Sequence, residues 1–430
     1  MKLRTLFSVI TVMAFATMTH NCSSNKAKTD TTPDGTEFVT VGDDGNFHIG
    51  DSIYRYIGTN FWYGPILASE GLGGDRDRLS RELDSLQHLG INNLRVLAGA
   101  EGPEGLRHHI APVLQTEPGV YNDTLLQGLD YFIAELERRG MKAVIYLTNA
   151  WEWSGGYGSY LQWTGHGQAP DPNLDGYMEY VNHVKDFVLD DKAKQMALDH
   201  AKFIVGRTNS VTGKPYTESP AIMAWQVANE PRAFSDEGKD SLAAWIQTTA
   251  RAIKEIDPNH LVSTGSEGKY GCEGDLDLWT RIHAMPEIDY AIIHLWPTNW
   301  GWASRDSVEA HLDRACEYSG KYIDEHLAAI KPYNKPLVIE EFGYPRNGFK
   351  FMMDVPVTAR DKYYTYILGQ FRDKPAIAGL NFWGWNGEAR PTETEWTPGA
   401  PYCCDPAHEP QGMYGVFDCD TTTIDILRQK

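Results

Sequence analysis

Two segments of this chain end an apolar run in a glutamate just before the backbone must turn. They are Trp225-Gln226-Val227-Ala228-Asn229-Glu230-Pro231-Arg232 and Val338-Ile339-Glu340-Glu341-Phe342-Gly343-Tyr344. Each reads as a buried strand stopped by Pro or Gly. A carboxylate at the mouth of a buried strand is costly to place there, so two of them suggest paired-carboxylate chemistry. Glycoside hydrolysis is the reaction class that most needs such a pair: an acid protonates the leaving oxygen while a carboxylate attacks or activates water. Glu230 suits the acid/base role. It follows Asn229, whose amide can bind a sugar 2-hydroxyl, and it precedes Pro231, which ends the strand. Glu341 suits the nucleophile role, kept ionised by nearby donors, with Arg95 the best cationic candidate. Glu340 is expected on the opposite face of its strand, in a buried or helix-facing salt bridge.

Elements able to bring residues so far apart together follow from the alternation of short apolar runs with longer amphipathic ones. Strands are expected to end near Asn60, Val96, Thr148, Asn229, Ser263, His294, Glu341 and Trp383. Helices are expected over Arg76–Leu89, Asp123–Arg139, Gly176–Val205, Asp240–Ile256, Leu276–His283, Ser307–Ile330 and Thr358–Arg372. This order fits an α/β fold of the (β/α)8 TIM-barrel type, with long loops and a single catalytic domain over residues 37–430. A doubly wound open sheet fits less well, because no Gly-rich nucleotide loop follows the first strand. In a barrel, Thr59-Asn60, Arg95, Asn149, Asn229-Glu230, His294, Glu341 and Trp383 converge on the face where active sites form. The Pro- and Gly-rich stretch Pro391–Phe417 reads as a long loop after the last strand.

Composition narrows the function further. The 430 residues carry a net charge of −19, which argues against a nucleic-acid partner. Thirteen Trp, 22 Tyr and 15 Phe are a rich supply of rings for core packing and for stacking on sugars. There is no Gly-x-Ser-x-Gly elbow, P-loop or His-Glu-x-x-His. His108-His109 reads as a solvated loop, the His and Cys spacings suit no zinc site, and no cofactor or metal is expected. Lys2 and Arg4 precede an apolar stretch from Leu6 to Met18, too short to span a bilayer. Residues 1–21 are therefore expected to be a signal peptide, with Cys22 as a lipidated first residue and 22–36 as a flexible tether. That makes the chain exported, either lipid-anchored at a bacterial cell surface or secreted, with the lipid its only membrane contact. An exported chain permits disulfides among Cys272, Cys316, Cys403, Cys404 and Cys419, and the odd count leaves one thiol free.

The Asn-Glu-Pro and Glu-Phe-Gly strand ends resemble those of clan A glycoside hydrolases, specifically glycoside hydrolase family 5. The finer pattern resembles the endo-β-1,4-mannanase subfamily. It is carried by Ile57-Gly58-Thr59-Asn60-Phe61-Trp62, Leu125-Leu126-Gln127-Gly128-Leu129-Asp130, Thr148-Asn149-Ala150-Trp151, the run from Ser219 into Asn229-Glu230-Pro231-Arg232, and the loop Gly265–Gly271. The resemblance implies a retaining hydrolase of β-mannan or manno-oligosaccharides, with Glu230 as acid/base and Glu341 as nucleophile. Arg95, Asn229, His294 and Trp383 would support the sugar at the cleavage point. Trp151, Arg232, Asn60 and Trp62 are further expected substrate contacts. Family members usually carry Tyr two residues after the His; here the position is Trp296. Trp153 and the Trp296–Trp302 loop could block one end of the cleft and turn endo- into exo-action. A cellulase or xyloglucanase, an exo-β-mannosidase, and a non-catalytic surface glycan-binding protein are the alternatives.

Overall fold

A computed structural model of the protein describes residues 37–428. The expected signal peptide, Cys22 and the tether up to residue 36 lie outside the described residues. Eight parallel strands form the central sheet: β1 (Tyr56–Asn60), β2 (Asn93–Leu97), β3 (Lys142–Tyr146), β4 (Ile222–Gln226), β5 (Leu261–Ser263), β6 (Ala291–Leu295), β7 (Leu337–Phe342) and β8 (Ile377–Phe382). Their ladder order is β5-β4-β3-β2-β1-β8-β7-β6. The seam between β5 and β6 carries no strand ladder. It is bridged instead by Asp289 N to Val262 O at 2.8 Å, Ser263 Oγ to Tyr290 O at 2.7 Å and His294 N to Glu267 O at 3.2 Å. The result is the expected (β/α)8 barrel.

The helices that surround or follow the strands include α1 (Arg76–His88), α2 (Asp123–Arg139), α3 (Asp191–Val205), α4 (Lys239–Ile256), α5 (Leu276–His283), α6 (Leu312–Ile330), α7 (Thr358–Asp373) and α8 (Thr421–Leu427). Five of the seven expected spans are matched to within a residue, and the helix expected from Ser307 begins only at Leu312. Gly176–Val205 is not one helix. It breaks into Tyr177–Val184, a short 3-10 turn and α3. Asp190 is the reason: its carboxylate accepts from Lys192 N at 2.8 Å and Ala193 N at 3.0 Å, capping a new helix inside the amphipathic run.

The floor of the barrel is plugged by an antiparallel ribbon, Val39–Val41 with Phe47–Ile49, that lies ahead of β1. Phe47, Ile49 and Tyr54 pack there against Tyr56, Val144, Met223, Tyr290, Ile292 and Val338 from the strands. With the floor filled by apolar side chains, the polar strand ends are left to the opposite face. The long loop after β8 folds back, and Val416–Phe417 pairs with Trp385–Gly387. All five described cysteines are unpaired. No helix among the described residues is long and apolar enough to cross a membrane.

Candidate active site

Arg95, in the middle of β2, organises the site. Its guanidinium is fully buried and donates to Glu341 Oε1 at 2.5 Å, Gln226 Oε1 at 2.9 Å, Asn229 Oδ1 at 2.9 Å and Asn60 Oδ1 at 3.2 Å. A buried charge tolerates such a position only when paired and fully bonded. Glu340 joins this cluster, 3.4 Å from Arg95 Nε and bonded to Gln226 Nε2 at 2.5 Å. Its expected placement on the opposite face of the strand from Glu341 is therefore wrong. A register shift opposes Ile293 to Ile339 but His294 to Glu341, and this bulge lets both carboxylates face Arg95.

Glu230 follows β4 with a left-handed backbone, φ +48°, which an ordinary L-residue rarely adopts. Its N–H is tied to Gly265 O at 2.9 Å, and Asn229 N to Thr148 O at 2.7 Å, so neighbouring loops hold the turn. The turn swings the Glu230 side chain towards Trp151, whose indole N–H donates to Oε2, and towards His294 Nδ1, 2.7 Å from Oε1. The same Nδ1 lies 3.3 Å from Glu341 Oε2, and Trp296 Nε1 donates to that oxygen at 3.2 Å. Ligand atoms of Glu230, His294 and Glu341 all lie within 4.8 Å of one another. These are residue types a cation could use. However, N–H donors from Trp151, Trp296, His294 and Arg95 already occupy the carboxylate oxygens, which leaves them poorly placed to hold a metal.

Burial raises both carboxyls above the ordinary range, and the Glu230 charge raises Glu341 further. The two therefore titrate as a pair. Arg95 and the Trp296 N–H oppose the rise at Glu341, and the Trp151 N–H, Arg95 and Arg232 oppose it at Glu230; of the two carboxylates only Glu341 is bonded directly to Arg95, which favours the first charge there. Burial and the Arg95 charge keep His294 neutral, able to donate from Nδ1.

Around the pair lies a cleft of about 530 Å³, lined by Trp151, Asn229, Glu230, Arg232, Trp296, Glu341 and Trp383 among others. Asn229 bonds Asn149 Oδ1 through Nδ2 at 3.1 Å, leaving one amide hydrogen free for a ligand. Arg232 is held by Glu273 at 3.1 Å and Glu267 at 3.4 Å. His294 lies behind the pair, fully buried. Four expected substrate contacts do not line the cleft: Arg95 and His294 are fully buried behind the carboxylates, and Asn60 and Trp62 lie deeper still. Asn60 is fully buried beneath it, bonded to Glu340 O at 2.9 Å, and Trp62 donates to Cys404 O at 2.7 Å under Trp153. Asn60 is the last residue of a strand whose partner register sets it beside Arg95, and that turns it inward. His108 is not solvated either: its Nδ1 bonds Asp171 at 2.7 Å.

The cleft also holds residues that sequence reasoning passed over: Glu152, Glu267, Asn299, Arg305, His408 and Glu409. Glu267 carried a signal, since it sits in the Gly265–Gly271 loop noted above. Burial and the Glu230 charge push its carboxyl up to about 8. His408 and Glu409 come from the Pro391–Phe417 loop, where nothing periodic marks them.

Residues 36–430 match the family described as GH family 5 beta-mannosidase-like. Among curated proteins, mannan endo-1,4-beta-mannosidase 7 of Arabidopsis thaliana is 28% identical over 395 residues, covering 89% of this chain and 84% of its own length. Among solved structures, the glycoside hydrolase family 5 mannosidase from Rhizomucor miehei has a TM-score of 0.84 and 34% identity, over 92% of this chain and 96% of that one. A point mutant of that mannosidase in complex with mannosyl-fructose fits equally well, at 91% and 96% coverage.

Proposed function

This chain belongs to the GH family 5 beta-mannosidase-like family, and on that premise we propose that it hydrolyses β-mannosidic bonds with retention, by double displacement. Glu341 attacks the anomeric carbon while Glu230 gives its proton to the departing oxygen. A water then enters, Glu230 takes its proton, and the Glu341–sugar bond breaks. Arg95 and Trp296 hold Glu341 ionised for attack, and neutral His294 orients both carboxylates. The observation that carries this reading is the placement of the Glu230 and Glu341 oxygens within 4.8 Å, with Arg95 bonded to only one of them. Retaining enzymes keep their carboxyls about 5–5.5 Å apart, and inverting ones leave room for a water.

Glu230→Ala and Glu341→Ala should each lower kcat on mannan by at least about a hundredfold. Near-wild-type activity in both would sink the assignment. Proton NMR of the first-formed sugar reads the stereochemistry, and an inverted anomer would remove the double displacement.

The substrate is a β-mannan or manno-oligosaccharide, and endo-action is the expectation from the mannanase pattern. One observation favours the exo reading. The loop after β8 brings Pro406, His408 and Glu409 into the cleft, His408 O accepts from Asn173 Nδ2 at 2.8 Å, and its ring stacks on Trp153 at 6.4 Å. Such a wall suits a chain end. A timed digest of mannohexaose separates the two: mannose released from the first minute means exo-action, and a spread of internal fragments means endo. Export with a lipid on Cys22 rests on the leader pattern alone. Fatty-acid labelling that survives Cys22→Ala would refute it.

A further inference from the structure

Asp405, in the loop after β8, is 1% exposed, and its two oxygens gather the chain on both sides of a turn. Oδ1 accepts from Tyr414 N at 2.7 Å and Gly415 N at 3.1 Å, and Oδ2 accepts from Gly412 N at 3.0 Å and Asn386 Nδ2 at 3.0 Å. Gln411 fills the inside of the turn, its Nε2 donating to Asp405 O at 2.9 Å and Pro406 O at 3.2 Å. The pairing of Val416–Phe417 brings the loop back to the barrel, and Asp405 closes residues 405–415 into a bonded turn. That turn is the part of the loop that enters the cleft, with His408, Glu409 and Met413. Several N–H donors on one buried carboxylate make a strong, directional clamp. Without it they are left buried and unpaired, which is more costly than losing a bond at the surface.

The clamp also reaches the chemistry. The N–H that bonds Asp405 most closely is that of Tyr414. The Tyr414 hydroxyl bonds Thr298 Oγ1 and donates to Asn299 Oδ1 at 3.1 Å, both on the loop that carries Trp296. Its ring meets the Trp296 indole edge-on, with centroids 4.9 Å apart. The Gly343 backbone lies so near both rings that a Cβ there would stand 2.8 Å from the indole and 3.2 Å from the Tyr414 ring. Trp296 is thus wedged between Gly343 and Tyr414, and that packing aims its N–H at Glu341 Oε2, 3.2 Å away. Displacing Tyr414 displaces the indole, because a close-packed ring has no slack to absorb the movement.

We propose that Asp405 is a positioning residue of the reaction: it holds the turn that walls the cleft and, through Tyr414, the indole that bonds the nucleophile. The roles of wall and nucleophile rest on the chain-end and double-displacement readings above; the link from Asp405 to Trp296 does not.

The test compares the wild type with Asp405→Ala and Asp405→Asn. Asn keeps one accepting oxygen but turns an amide NH2 on donors that need an acceptor, so it loosens the turn with little change of shape. Should Ala fail to fold, Asn carries the comparison. Asp418→Asn is the control, since Asp418 ties the end of the same loop to Arg390 at the surface.

In the first arm, mannohexaose is digested briefly and the ratio of internal fragments to mannose is read. Both Asp405 variants should raise it by about tenfold or more, because a wall displaced by about 1 Å no longer stops the chain end. In the second, kcat/KM is followed against pH on an aryl β-mannoside, which needs no wall. Glu341 is faced by Arg95, Glu230, Glu340, His294 and Trp296, and of these only Trp296 packs on Tyr414. The profile should move to higher pH by about one unit, the effect of one lost bond to a charged group. Loss of a nearby negative charge alone moves a carboxyl the other way, so the direction separates the two causes. The third arm follows backbone hydrogen exchange at residues 296–299, which should quicken in both variants. Asp418→Asn should leave all three readouts alone. A pH profile and an exchange rate at 296–299 that match the wild type, whatever the melting temperature does, overturn the proposal. Internal fragments from the wild type at the outset would remove the chain-end reading, and the second and third arms then decide. If no mannoside is hydrolysed at all, the family-level reading has failed, and the third arm decides alone.

Discussion

Trp296 stands where the sequence resemblance led to the expectation of Tyr, and the geometry says what the indole does there. Its N–H donates to Glu341 Oε2 at 3.2 Å. An indole donates one hydrogen and accepts none, so it favours the charged carboxylate and cannot exchange a proton with it. Trp296→Phe removes that donor, and Glu341 then gives up its proton less readily. Trp296 also opposes the rise at Glu230, and the two carboxyls titrate as a pair, so the acid limb of the kcat/KM profile should move to higher pH and the alkaline limb should move in the same direction. A profile whose acid limb stays put would mean that Arg95 alone sets the charge on Glu341. Both glutamates are legible in the sequence because a carboxylate before Pro or Gly at the end of an apolar run has few bland explanations. The inward turn of Glu340 is not, because a bulge leaves no trace in alternation. Asn60 and Trp62 escape for a related reason: a motif gives their order along the chain but not their depth beneath a cleft.

At the scale of elements, the strand ends and most helices are visible in the periodicity, and the one divided helix is instructive. An amphipathic run from Gly176 to Val205 looks continuous because Asp190 is as polar as its neighbours on an exposed face. Its role as a cap depends on local backbone geometry. Asp190→Ala should destabilise the fold by about 1 kcal/mol, the usual loss for an N-cap, as read by denaturant unfolding. Asp190 Oδ2 also accepts from Thr164 Oγ1 at 2.8 Å, at the end of the helix Gly156–Trp163. An unchanged midpoint would show that neither the cap nor this second anchor holds the junction. The loop after β8 is the other element whose role is hidden in the sequence. Its Pro and Gly residues mark it as irregular, but which of its side chains enter the cleft is set by its return pairing of Val416–Phe417 with Trp385–Gly387.

For the whole molecule, buried titratable groups make stability depend on pH in two opposed ways. Burial lowers His109 and His200 to about 4, and His283, His326 and His408 to about 3. Unfolded histidines bind protons up to about pH 6.5, so stability rises as pH climbs from about 4 to 6.5. Burial raises Glu101 to about 7, and Glu152 and Glu267 to about 8. Their folded forms keep protons that the unfolded chain has lost, so their stability contribution is complete below the unfolded value and disappears as pH rises through 7 to 8. Below pH 6.5 the two sets oppose each other, and above it the raised carboxyls act without the histidines. The melting temperature should therefore fall between pH 6.5 and pH 8. A curve still rising between pH 6.5 and 8 would contradict the buried, protonated state of Glu152 and Glu267.

The left-handed backbone at Glu230 has a consequence for how this fold trades endurance against work. The residue combines an unfavourable φ with a buried carboxyl pressed against a second one. Glu230→Gln keeps that side chain uncharged at every pH, and neutral His294 can switch tautomer to accept from the new amide. The variant should melt at a temperature no lower than the wild type and have almost no activity. Glu230→Gly, which also relieves the backbone, should keep most of its heat resistance despite losing the side chain's bonds. A clear fall in melting temperature for Glu230→Gln would show that the carboxylate stabilises the fold it serves. Otherwise, a library screened for heat resistance alone would drift towards sturdy, inert protein, with this glutamate among the first residues to go.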